Sequence, residues 1–182
     1  MFIFGVPLAF FIPLVVHLLA GLTTGVTGVV ALSVPKRRGR HLQWGIFYLW
    51  AYTGVFLTTI ILSLQHWKTD AYLFILALTG YGLALAAYAA RRWRRETWMQ
   101  RFVGKQWVVA HSIGMIESYA VLWTAFFVDN ANQIPLLDRV PLLVFWLLPS
   151  TIALLFMVYS ISRFARKKQD VPVFIEKQKT SH

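Results

Sequence analysis

Cysteine is absent from this sequence. That excludes disulfide staples, thiolate catalysis, zinc fingers and cysteine-held iron–sulfur clusters. Charge is scarce. Asp, Glu, Lys and Arg together make up 14% of the 182 residues, where a soluble domain carries about 25%. Acidic residues are scarcer still, seven against eighteen Lys and Arg. Phosphate-binding glycine loops, a nucleophile elbow and an HExxH helix are also missing, so no soluble-enzyme motif is legible. What the chain has instead is apolar bulk: 58% hydrophobic residues and a mean hydropathy of +0.59. So few charges cannot cover a water-facing surface, and the composition implies an integral membrane protein. The net charge of +11 would suit nucleic acid if it were spread over one face. It is gathered instead into short clusters between apolar runs, the pattern of cytoplasmic loops.

A helix needs about 20 apolar residues to cross a bilayer. Five runs qualify, at about 4–34, 41–65, 71–90, 107–128 and 140–162. The first is longer than one span requires, and Pro7 and Pro13 suggest a later start or a kink. No basic residue precedes it and it exceeds a signal h-region, so it reads as a retained span. Lys36, Arg37, Arg38 and Arg40 follow the first run. Arg91, Arg92, Arg94, Arg95, Arg101 and Lys105 follow the third, and Arg163, Arg166, Lys167, Lys168, Lys177 and Lys179 follow the fifth. These sixteen fall on one side, and only Lys68 and Arg139 on the other. The expected fold is therefore an all-α bundle of five transmembrane helices over residues 1–165. Its N-terminus lies outside, and a polar cytoplasmic tail covers 166–182. Four or six spans would put one basic cluster on the wrong side.

Trp44, Trp93, Trp98 and Trp107 fall near inner ends and Trp67 and Trp123 near outer ends, as interfacial anchors do. Between Arg91 and Lys105, Trp98, Met99, Phe102 and Val103 alternate with arginines. That segment suits either an interfacial helix on anionic lipid or a solvated basic loop.

Polar residues inside spans are costly and are the candidates for function. His41 lies at the inner end of the second run and His111 one to two turns into the fourth. His17 lies in the outer half of the first, and His66 at or beyond the outer end of the second. His17, Gly21, Thr24 and Gly28 form one stripe, and Gly21 with Gly25 makes a GxxxG pair. Such a stripe serves close helix packing or the face of a flat porphyrin. Glu117 is the acidic residue in mid-span. It should face the bundle, either hydrogen-bonded to a Tyr or Thr or acting as a proton or cation site. On the hydrogen-bonded reading Glu117→Gln is tolerated and Glu117→Leu is worse.

These residues also resemble a known pattern. His17-x-x-Ala20-Gly21, then His41-x-x-x-Gly45-x-x-Tyr48, and His111 with Met115 and Tyr119 carry it. Thr124-Ala125-Phe126 and Trp146-Leu147-Leu148-Pro149 extend it. Over about residues 15–150 the chain resembles an uncharacterised family of small bacterial multi-pass membrane proteins, distantly like small b-type membrane cytochromes. The resemblance implies a bacterial inner-membrane location, and by analogy haem b held by histidines. His17, His41 and His111 match the motif. Glu117 departs from it, since the family tends to a small residue there.

Three functions follow as expectations. An accessory or structural membrane protein, with a membrane-protein partner or a second copy, asks least of the sequence. A haem b-binding electron-transfer protein would use His41 and His111, the pair nearest in depth, expected on helices of opposite direction. A small proton- or cation-linked transporter would use Glu117 and His17.

Overall fold

The computed structural model describes residues 2–3, 6–35, 39–135 and 137–159. The tail assigned to 166–182 and the end of the fifth run lie outside the described residues. After a two-residue antiparallel pairing of Phe2–Ile3 with Val6–Pro7, the described chain is helical. Its helices are α1 (Leu8–Ser33), α2 (Arg40–Gln65), α3 (Trp67–Arg92), α4 (Thr97–Val103), α5 (Trp107–Asn130) and α6 (Leu142–Tyr159).

Four of these, α1, α2, α3 and α6, are long and apolar enough to cross a membrane. The 26 residues of each of the first three rise ~39 Å, more than the ~30 Å of a hydrocarbon core. The 24-residue α5 carries His111, Glu117 and Asp129 and is not among the four.

Local chemistry sets the ends. Pro7 stands just before α1, while Pro13 lies within it. Val34 is extended (φ −72°, ψ 146°) because the ring of Pro35 disfavours the helical region in the residue before it. Gly39 enters α2 at φ 115° and Gly104 leaves α4 at φ 56°, backbone conformations that side chains with a Cβ resist. Only His66 separates α2 from α3, which makes them antiparallel neighbours.

Small residues decide how closely the helices pack. On α3 the buried residues Ala77, Gly80, Ala84 and Ala87 recur every three or four positions and form one face. A Cβ on Gly114 of α5 would come within 2.9 Å of Ala87 Cβ and 3.1 Å of Leu83 O, so α3 and α5 touch nearly backbone to backbone. On α1 the close approach falls at Gly28, where a Cβ would collide with the ring of Tyr119. Gly21 faces open space. The GxxxG pair read from the sequence is therefore not the packing seam. Gly28 meets α5, and Ala20 meets Gly54 of α2.

Hydroxyl groups between the helices are satisfied internally. Ser118 donates to Met115 O (2.9 Å) and accepts from the Tyr48 hydroxyl (2.9 Å). Tyr52 donates to Ser118 O at 3.2 Å, and Tyr119 donates to Gly25 O at 3.0 Å. Among the described residues no buried side-chain nitrogen or oxygen lacks a partner. That completeness matters where water is excluded. The α6 helix closes the bundle through Ala153 on Ile116 and Ala120 and through Phe145 stacked on Phe127, ring centres 5.8 Å apart. Leu18, Leu19 and Leu22 on α1 and Leu143, Leu147 and Leu155 on α6 point outward, exposed. An apolar exterior around a satisfied polar interior is the architecture of a membrane helix bundle.

Candidate functional site

Five helices meet around a cavity of about 340 Å³ at the end of the bundle next to Gly39 and the Arg91–Lys105 segment. Gly28, Ala31 and Leu32 of α1 form one wall, and His41, Gly45, Tyr48 and Leu49 of α2 a second. Ala84, Tyr88 and Arg91 come from α3, His111, Ser112 and Met115 from α5, and Phe156 from α6. The walls are mainly apolar, and among the described residues no acidic side chain lines them. The volume lies in the ~300–1,000 Å³ range of small-molecule sites.

Both cavity histidines are oriented by backbone. His41 Nδ1 lies 2.9 Å from Ala31 O, and His111 Nδ1 lies 2.9 Å from Ala87 O. A carbonyl only accepts, so each Nδ1 carries the proton and donates it. In the neutral ring the lone pair is then on Nε2. Ala31 stands in the last turn of α1, where carbonyls lack helical partners, so His41 also caps that helix. His41 and His111 stand near the N-terminal ends of α2 and α5 and line the same cavity, so α2 and α5 run in the same direction. This corrects the expectation of opposite directions. Chain alternation requires it, because α3 alone returns between them.

His17 is not part of this cavity. Its Nδ1 lies 3.0 Å from Thr58 Oγ1. That hydroxyl sends its own hydrogen to Gly54 O at 2.7 Å, so the imidazole is the donor. Of the α1 stripe that begins with His17, only Gly28 reaches the cavity. His66, at the α2–α3 junction, meets the edge of Phe10 with ring centres 5.5 Å apart. Glu117 is half-buried, lies outside the cavity lining, and makes no hydrogen bond among the described residues. The expected Tyr or Thr partner for it is therefore not among them.

The Arg91–Lys105 segment runs from the last turn of α3 through the short α4 helix. Met99 is buried, while Trp98 and Phe102 are exposed, Phe102 by 84%. Arg94 lies over the Trp107 ring, 4.7 Å from its centre.

Sequence reasoning missed Arg91 as a cavity residue and counted it only as a loop charge. The signal was present. Four residues beyond Ala87, Arg91 continues the small-residue face of α3. No protein family matches this chain, and neither does any curated protein or solved structure.

Proposed function

We propose that the protein is a haem b-binding membrane protein of electron transfer, seated in the bacterial plasma membrane. The observation that carries this reading is a pair of imidazoles, from α2 and α5, lining one apolar cavity with each Nδ1 donated to a backbone carbonyl. Outer-shell bonds of that kind fix the tautomer and orientation of a ligating histidine. The donor set fits a porphyrin better than a bare ion. No group of three or more His, Cys, Asp or Glu that could hold a metal occurs among the described residues. A porphyrin brings four nitrogen ligands of its own and needs only axial ones from the protein. Gly45, where nothing lies within 4 Å of a Cβ position, leaves room for a flat ring, and Leu32, Leu49 and Ile116 keep water away from it. His41 and His111 would be the axial residues, and the iron would supply one-electron chemistry. His17, bonded to Thr58, serves as glue between α1 and α2 in this reading.

The same proposal places the chain in the membrane with five spans. In this reading α5 is the fifth, because its 24 residues rise ~36 Å and pack against α1, α3 and α6. The positive clusters put the N-terminus outside and the C-terminus in the cytoplasm, with the cavity at the cytoplasmic end. There α4 rests its exposed Trp98 and Phe102 in a surface of anionic lipid. The bacterial location is what the resemblance expected over residues 15–150 implies.

An absorption spectrum of the purified protein, oxidised and then dithionite-reduced, tests the function. A Soret band that sharpens on reduction is expected. It should be lost in His111→Ala and weakened in His41→Ala, and it should persist in His17→Ala. A protein that shows no Soret band after haem is supplied returns the histidines to hydrogen-bonded packing and the chain to an accessory or structural role.

A further inference from the structure

We propose that Arg91 is the anion-binding end of the cavity and receives a carboxylate of the bound ligand. The inference rests on the haem reading, in which that carboxylate is a propionate. Three observations converge on it. First, Arg91 lines the cavity although its walls are mainly apolar and, among the described residues, carry no acidic side chain. It is half-buried and has no ion-pair partner among the described residues. A cation facing apolar walls without a counter-charge is costly unless the occupant brings one. Second, its position is set by the helix. Ala87 holds His111 through its carbonyl, and Arg91 stands one turn further on the same face of α3. The residue that orients an axial imidazole and the residue that would bind the anion are thus fixed to one rigid rod. Third, Arg91 stands in the last turn of α3, at the end of the bundle next to Arg94 and Trp107. An amphiphilic ring would enter with its carboxylates on that side and its apolar edge among Leu49, Met115 and Ile116. Arg94 is placed differently, since its guanidinium lies over Trp107. A guanidinium presents paired N–H groups that match a carboxylate.

Haem and its dimethyl ester, which has the same ring but no carboxylate, distinguish this role. Both are titrated into the purified protein in detergent, and the Soret band is followed. The wild-type protein is expected to bind haem about tenfold more tightly than the ester. Arg91→Gln should bring haem down to the affinity of the ester and leave the ester unchanged, and Arg91→Lys should recover part of the difference. Equal affinity of the wild-type protein for haem and ester overturns the role of Arg91, needs no variant, and leaves the haem reading standing. Uptake of neither ligand by the wild-type protein overturns the haem reading, and this inference with it.

Discussion

Glu117 shows what a single residue does in this fold. A carboxylate in the middle of a 24-residue helix loses solvation. A hydroxyl on a neighbouring helix would have offset the loss. Inter-helix hydroxyls are already engaged, Tyr48 with Ser118, Tyr52 with Ser118 O and Tyr119 with Gly25 O. Replacing Glu117 therefore strands no partner. Glu117→Leu is expected to match or exceed Glu117→Gln in a detergent melt, with both at least as stable as the wild type. A deficit of about 1 kcal/mol or more in the Leu variant would reveal a buried hydrogen bond that depends on the side chain. The cavity histidines carry the opposite lesson. Each is anchored by a backbone acceptor, so its ring is held whether or not a ligand is bound.

Among the elements, α1 shows that spacing alone does not identify a packing seam. Gly21, Gly25 and Gly28 all look alike in sequence, yet their surroundings differ. A side chain at Gly28 would meet the Tyr119 ring, which cannot swing aside because its hydroxyl is tied to Gly25 O. A side chain at Gly21 would meet nothing within 4 Å. Gly28→Val is expected to destabilise by about 1–3 kcal/mol, the usual cost of overpacking, and, on the proposed haem reading, to lower haem uptake because Gly28 lines the cavity. Gly21→Val should leave the melting temperature unchanged. Equal melting temperatures for the two variants would mean that α1 packs through another face.

For the whole molecule the governing quantity is the distribution of charge. Sixteen of the eighteen Lys and Arg residues fall in segments that an odd number of spans places together. With α5 as the fifth span, a reporter fused after His182 is expected to read cytoplasmic, and one inserted near Asn132 external. Asn132 lies in a single 3₁₀ turn, Ala131–Gln133, between α5 and α6, where an insertion cuts none of the six described α-helices. An external C-terminus would reverse the topology and move the cavity to the outer face.

Composition and hydropathy by themselves determined that the chain is helical and membrane-like, because too little charge is present for any other surface. They also located the long helices to within a few residues, because the apolar runs end where charged and polar residues begin. The depth of each histidine followed from its distance along a helix, which placed His41 and His111 at one end and His17 away from it. Only the tertiary structure decided what each residue faces. One helix turn separates neighbours that touch different partners, and the sequence does not say which helix lies on which side. Gly28 became the close contact rather than Gly21, and Glu117 was left without a described hydrogen-bond partner. Arg91 turned from a loop charge into a cavity wall, because α3 continues its packed face one turn further than its apolar residues do.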